Sequence, residues 1–420
     1  MLLSVHAYAG EYNLLEIYNM AKEKSYAIKI SELRMLESDK DRDAAFGGML
    51  PRADMALSEQ QVNSFLTAQD GVTEERDRKL ETEIIVSQPL YNPEIYKTWK
   101  IACMRSKISE LGKELSSQVL IITVINQYFQ LLKNHNSLEI MQTRVKMYEE
   151  LHQTAIEKHE NGLGTLTDIS IAKKELQLSR IQENNIKQNI RLRNDRLNIL
   201  TRAQITGIAR LQKHQPVIDK LLTLDHNWEY LIKNNIELKV KHIEADIKEM
   251  EISRLKMSCV PTLDLSYTYE NTDVPHLEEE KTIALNLTWP VFSGFSVFNS
   301  IKKERYAHEI LLLQKKQKKE ELETEIKSSC LQAIAARKNY FDYQDIFKTA
   351  DSILKDILTL HKKGRKTLTD VTDAEKDRTE ALLNINNSLI DFILSRSTLY
   401  YLCGKIDSYK LKALNRFLIP

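Results

Sequence analysis

Two aspartates stand three residues apart in the stretch Gly364-Arg-Lys-Thr-Leu-Thr-Asp370-Val-Thr-Asp373. On a helix, residues i and i+3 share a face, so Asp370 and Asp373 can present two carboxylates to one cation or one pore. The same stretch also reads as a helix start, with a Thr capping and an Asp complementing the dipole in the first turn. The spacing leaves both readings open. Other chemistry is hard to find. The ten His are scattered, and His135, His152 and His159 lie on one long predicted helix at spacings that bring no metal set together. The four cysteines, Cys103, Cys259, Cys330 and Cys403, are far apart and form no CxxC, so a metal centre is not expected. There is no Gly-rich phosphate loop, no HExxH and no GxSxG. The chain is therefore expected to be no enzyme and to need no cofactor.

The elements that would position these aspartates repeat within the chain. His159-Glu-Asn-Gly162-Leu163-Gly164-Thr-Leu-Thr-Asp168 matches His361-Lys-Lys-Gly364-Arg365-Lys366-Thr-Leu-Thr-Asp370, about 200 residues later. Gln88-Pro-Leu-Tyr91 matches Trp289-Pro-Val-Phe292, and Leu50-Pro-Arg-Ala-Asp54 matches Val260-Pro-Thr-Leu-Asp264, in the same order and at nearly the same offset. Each half reads as a helix (about 11–46 and 217–258), two strands, a very long helix to a Gly, then a second helix. The first long helix, about 93–162, would span on the order of 100 Å at 1.5 Å per residue. Its counterpart runs over about 300–364. Helices of that length belong to coiled coils, solenoids or tubes. The descending helices carry sustained heptads. One runs through Ile169, Ala172, Leu176, Ser179, Glu183, Ile186, Ile190, Arg193, Leu197 and Leu200. The other runs through Val371, Ala374, Arg378, Ala381, Ile385, Ser388, Phe392, Ser395, Leu399 and Leu402. Small and polar residues dilute both seams, which suits helices packed into a wall with neighbours on two sides. The ascending helix has a fuller seam from Ile108 through Leu111, Leu115, Val119, Ile122, Ile125 and Phe129 to Leu132.

The strands alternate most cleanly in the second half. Leu263, Leu265, Tyr267 and Tyr269 alternate with Asp264, Ser266, Thr268 and Glu270; Ile283, Leu285, Leu287 and Trp289 alternate with Ala284, Asn286 and Thr288. Such segments fit the wall of a membrane β-barrel, and they fit a soluble hairpin as well. The first-half strands, about 50–62 and 80–91, alternate less cleanly. The polar stretches 69–79 and 270–281 are expected to be solvent-facing loops. Four strands cannot close a barrel, so a membrane location would require chains to associate.

Composition narrows the class further. The chain has 420 residues with only 11 Gly and 8 Pro, which favours long uninterrupted helices. Lys+Arg is 60 against Asp+Glu 59, so there is no basic excess to suggest nucleic-acid binding. No run of about 18 apolar residues predicts a transmembrane helix. Residues 1–9, ending Ala7-Tyr8-Ala9, read as the tail of a signal peptide whose start is missing or miscalled.

This layout resembles the TolC-like outer-membrane efflux protein family, the outer-membrane factors, over nearly the whole chain. The resemblance is carried by residues 13–22, by Asp43-Ala-Ala-Phe46 leading into Leu50-Pro51, and by Ser87-Gln-Pro-Leu-Tyr91. It continues through Val260-Pro-Thr-Leu-Asp-Leu265, Leu287-Thr-Trp-Pro-Val-Phe-Ser-Gly294 and residues 364–374. It implies a mainly α fold with a membrane β part: an internally duplicated long-helix α-barrel protomer that contributes four strands to a trimeric 12-stranded outer-membrane barrel. The implied organisation is a first structural repeat over 10–210 and a second over 211–420. The implied function is an exit duct of a tripartite efflux or type I secretion system, passive, embedded in outer-membrane lipid and extending into the periplasm. A periplasmic adaptor and an inner-membrane pump, proton-driven or of the ATP-binding-cassette type, would be its partners. By position, Asp370 and Asp373 match the family's pore-constricting aspartates, which three-fold symmetry would stack as two carboxylate rings. Asp168 matches an acidic residue that holds the tip closed, Lys366 a basic gate partner, and His361 replaces a gate aromatic. That replacement raises a pH-sensitive variant of the gate. The adaptor would dock near Gly162, Leu163, Gly164, Gly364 and Arg365. The competing reading is a periplasmic coiled-coil scaffold with no channel. It accounts for the heptads, and leaves two strand pairs at matched positions unexplained.

Overall fold

A computed structural model describes residues 12–68, 71–205, 207–211, 231–273, 278–415 and 418–419. The proposed signal-peptide remnant at 1–9 and residues 217–230 of the expected helix 217–258 lie outside the described residues; the rest of that expected helix is observed from Ile236 to Met257. The chain is mainly helical and divides into two compact units, each assembled from non-contiguous segments.

One unit (residues 1–30, 114–238 and 318–420) is helical. Its helices are α1 (Leu14–Lys24), the later part of α3 (Pro93–Glu160), α4 (Leu166–Thr201), the later part of α6 (Ser296–Lys362), α7 (Leu368–Leu402) and α8 (Ser408–Asn415). The core gathers Leu14 and Ile17 of α1, Tyr128, Phe129 and Leu132 of α3, Leu197 of α4, Ile326 and Cys330 of α6, and Ile390 and Leu399 of α7. Two of its buried polar groups are satisfied by main-chain carbonyls: the Tyr128 hydroxyl donates to the Ala209 carbonyl at 3.0 Å, and the Asn235 amide to the Leu402 carbonyl at 2.9 Å. A short antiparallel pair, β3 (Arg210–Leu211) with β6 (Leu418–Ile419), ties the chain's end to the α4 exit.

The expected heptads of α4 and α7 are buried or half-buried at every seam position. The α3 seam is only partly right. Val119 is exposed, while Leu120, Ile121, Val124, Tyr128 and Leu131 are buried beside it. Here α3 has neighbours on two sides, so it buries two stripes where a coiled coil would bury one. The most apolar window of α3 is half-buried in this way, as expected of a core helix.

The other unit (31–113 and 239–317) holds the later part of α2 (Tyr26–Gly47), the start of α3, most of α5 (Ile236–Met257), the start of α6 and one sheet. The first helix expected over 11–46 is thus two helices. Ser25 ends α1 in an extended conformation, and its hydroxyl accepts from the Ile28 amide at 3.3 Å to start α2. Ion pairs tie α5 to its neighbours in this unit, Lys248 to Glu304 of α6 at 2.8 Å and Arg254 to Glu94 of α3, with Glu251 of α5 also holding Arg254.

The sheet is antiparallel, in the order β1 (Arg52–Ala68), β2 (Gly71–Tyr91), β4 (Thr262–Asp273), β5 (Glu278–Thr288). The strands are longer than the alternation suggested. Residues 71–79, 270–273 and 278–281, expected to be loops, continue the ladders. Charged side chains mark contact with water, and an antiparallel ladder with a solvated face accommodates them as readily as a loop does.

Directly opposed residues in an antiparallel sheet point to one side, so the register sorts the faces. Ala53, Val86, Tyr267 and Ile283 align across all four strands, and Leu265 faces Leu285 while Leu263 faces Leu287. The other face carries Asp54, Ser87, Asp264, Ser266, Thr268 and Asn286. There the Asn286 amide donates to the Ser266 hydroxyl at 3.2 Å. Among the described residues nothing covers the apolar side of β5: Ile283 is 76% exposed, Leu285 62% and Leu287 70%. Trp289 and Phe292 are exposed at one end of this band, and Tyr267 and Tyr269 lie toward the other, where Lys281 sits over the Tyr269 ring. The outer edges of β1 and β5 pair with no strand among the described residues.

Candidate functional site at the helix tips

The two turns that carry the candidate residues, α3 to α4 and α6 to α7, have nearly the same geometry. Gly162 (φ +69°) and Gly364 (φ +70°) adopt the left-handed conformation that stops the long helices. The Leu163 amide donates back to the Lys158 carbonyl at 2.8 Å, and the Arg365 amide to the Leu360 carbonyl at 2.9 Å. These are the six-to-one bonds of a Schellman turn. Each next helix opens with a reciprocal capping box. Thr165 accepts from the Asp168 amide and Thr367 from the Asp370 amide, both at 3.1 Å. The carboxylates answer: Asp168 Oδ2 accepts from the Thr165 amide at 3.2 Å, and Asp370 Oδ2 from the Thr367 amide at 2.9 Å. The sequence repeat Thr-Leu-Thr-Asp is therefore a repeated cap, and Asp168 and Asp370 are its N3 carboxylates.

These contacts hold the Asp370 carboxyl below the usual aspartate range, chiefly through the bond from the Thr367 backbone, then from its hydroxyl and from Lys366. The sign follows. A depressed pKa in the folded state adds stability above the ordinary aspartate pKa, and that stability is lost as pH falls through the depressed value. Lys366 Nζ lies 3.3 Å from Asp370 Oδ1, so this basic residue serves the turn it belongs to. Asp373, one turn further on, is exposed, while Leu368, just before Asp370, and Val371, between the aspartates, are buried.

His159 and His361 repeat a second device. Each Nδ1 lies against a carbonyl five residues on, Gly164 at 3.2 Å and Lys366 at 2.9 Å, and so carries the donating proton. The other nitrogen of His361, Nε2, is 3.4 Å from Lys158 Nζ. This side-chain contact runs from one tip to the other. Lys158 is the residue that sequence reasoning missed, because the matching position in the second half is Leu360 and no motif marks it. Leu163 is 82% exposed, with Leu166 exposed next to it, giving the first tip an apolar point that the second, with Arg365, does not repeat.

No protein-family model matches the chain. Outer membrane protein TolC of Salmonella enteritidis is 21% identical over 424 residues, covering 96% of this chain and 84% of that protein. TolC of Vibrio cholerae is 23% identical over 430 residues, covering 96% and 93%. Among solved structures, the Campylobacter jejuni CmeC outer membrane channel superposes with a TM-score of 0.81 at 17% identity, over 97% of this chain and 90% of that one. The chain is TolC-like in sequence and in fold. A TolC-like fold accounts for the uncovered apolar sheet face and for the length of α3 and α6, neither of which an isolated water-soluble domain needs. In this TolC-like chain the repeated sequence makes two similar tips through the same caps and Schellman turns, and Lys158 of one contacts His361 of the other.

Proposed function

We propose that this chain is one protomer of an outer-membrane exit duct, a passive channel of a tripartite efflux or type I secretion system. The observation that carries the reading is the four-stranded sheet. Among the described residues it has one face with an uncovered apolar band bounded by aromatics, one mainly polar face, and two unpaired edges. In lipid no edge can stay open, because each unpaired backbone group costs several kcal/mol, so the sheet must close with copies of itself. Three copies give a twelve-stranded barrel with the polar face lining a lumen. Residues 10–210 and 211–420 act as two structural repeats that supply matched strands and matched helices to this wall. The location is the outer membrane, with the helices in the periplasm.

Asp370 and Asp373 line the constriction, and the contacts of Asp168, Lys366 and His361 hold the turns around it. Gly162, Leu163, Gly164, Gly364 and Arg365 form the surface on which a periplasmic adaptor docks, and an inner-membrane pump supplies the energy. The exposed Leu163 fits an apolar contact with such a partner.

The test is reconstitution. Purified protein in a planar lipid bilayer is expected to give discrete, cation-selective conductance steps. A protein that extracts from the outer membrane intact and never conducts would contradict the reading.

A further inference from the structure

A buried charged cluster lies inside the helical unit, about two to four turns beyond the tips, where α3, α4, α6 and α7 meet. Glu375 of α7 is 1% exposed. Its Oε1 accepts from the Thr379 hydroxyl at 2.9 Å, while Oε2 has no hydrogen-bond partner and stands 3.6 Å from the Arg378 guanidinium. Arg378 is committed elsewhere: its Nε donates to Asp351 of α6 at 2.7 Å, and Asp351 also takes Lys355. From α3, Arg144 is buried, reaches toward Glu175 of α4 at 4.0 Å and lies over the Tyr148 ring, and its Nε is unpartnered. Glu175 is itself held by Lys174 at 2.9 Å. Ser179, one turn along α4, has a buried hydroxyl that is also unpartnered. The Tyr148 hydroxyl reaches the Thr372 carbonyl at 3.4 Å, next to Asp373.

Two properties of this cluster matter together. It touches all four helices, so it registers α7 against its neighbours directly behind the aspartates. It is also incompletely satisfied, with three buried polar atoms unpaired, and such clusters are sensitive to the gain or loss of one proton. We propose that Glu375 is a positioning residue: with a neutral carboxyl it holds α7, and the Asp370 and Asp373 that α7 carries, firmly against α3, α4 and α6, and with a charged carboxyl it loosens that hold. The link to conduction rests on the duct reading; the hold on α7 does not.

The direction follows from burial. Desolvation raises the Glu375 pKa, and the hydroxyl of Thr379 and the cations of Arg378 and Arg144 offset this only in part. A raised folded-state pKa means that the favourable contribution is full below the ordinary glutamate pKa and is lost as pH rises through the raised value. This is opposite in sign to the Asp370 cap.

The test compares Glu375→Gln with the parent protein in thermal melts from pH 5 to pH 8.5. Glutamine keeps the Thr379 contact and cannot ionise. The two proteins are expected to melt together at pH 5 and to separate with rising pH, the variant melting several degrees higher at pH 8. A difference that stays constant with pH, or a parent more stable than the variant at pH 8, would overturn the proposal. Arg144→Gln provides a second, independent arm: removing the cation should steepen the parent's loss of stability with pH, and an unchanged slope counts against it. In bilayers the parent's open fraction should rise from pH 5 to pH 8 while Glu375→Gln stays flat; a rise of equal size in both overturns the link to the aspartates. A pH-dependent melting difference in proteins that never conduct would support the Glu375 assignment and overturn the duct reading instead.

Discussion

Replacing Leu285 with Lys is expected to abolish assembly in the outer membrane, whereas Asn286→Lys should leave it nearly intact. The two residues are adjacent, and the register puts them on opposite faces. Leu285 faces Leu265 on the uncovered apolar side, and the Asn286 amide bonds the Ser266 hydroxyl on the polar side. The apolar band runs from Trp289 to the level of Tyr269, so Leu285 sits near its middle. A Lys at the bilayer midplane costs about 2–4 kcal/mol. In the proposed three-fold assembly that Lys would enter the barrel three times, and the whole duct would lose on the order of 10 kcal/mol, as much as the entire stability of many domains. The heat-modifiable, membrane-extracted fraction measures it. Equal tolerance of Lys at both positions would mean that the apolar face does not meet lipid.

Removing the charge of Asp370 and Asp373 together should widen the range of ions that pass and relieve block by multivalent cations. The structure dictates the substitution. Asp370 caps α7 through Thr367, so Asp370→Asn keeps an acceptor at the cap and Asp370→Ala would not; Asp373, which is exposed, can also become Asn. In a three-fold pore the pair makes six carboxylates. At roughly 6 Å from the axis in water, six unit charges attract a divalent ion by about 4 kcal/mol after screening in 0.1 M salt, or on the order of a thousandfold in affinity. The double Asn variant should lose block by divalent cations by about that factor, with higher conductance and weaker cation preference. Trimer yield must match the parent's for the comparison to stand. Parent-like block and selectivity in a well-assembled variant would make these two residues caps and surface charges only.

Much of this architecture was legible because it repeats. Matched Pro and Gly positions in the two halves announce paired strands and paired tips, and the diluted heptads of α4 and α7 announce helices with neighbours on two sides. What was not legible depends on neighbours that one-dimensional periodicity does not contain. The second buried stripe of α3, with Tyr128 and Leu131, exists because another helix lies there. The extension of β1 and β2 through charged residues is set by pairing, which polarity masks. The break at Ser25 is a local cap inside an otherwise continuous helical pattern. At the tip, Asp168 and Asp370 were placed by their motif, and the structure resolves them as capping carboxylates. Lys158, Arg144 and Glu375 carry no motif at all. A charged residue inside a helix reads as solvated until the opposite helix is known, and only the fold shows Glu375 to be sealed among four of them.

The central claim is that this chain closes a pore only in the company of its copies, and the mass of the intact assembly tests it most directly. Protein extracted from outer membranes in mild detergent, measured by native mass spectrometry or by scattering with the detergent contribution removed, is expected to contain three chains of 48.8 kDa each. The measured particle should dissociate to single chains on heating. A stable single chain recovered from the soluble periplasmic fraction would contradict the account, and would return the long helices to the role of a scaffold.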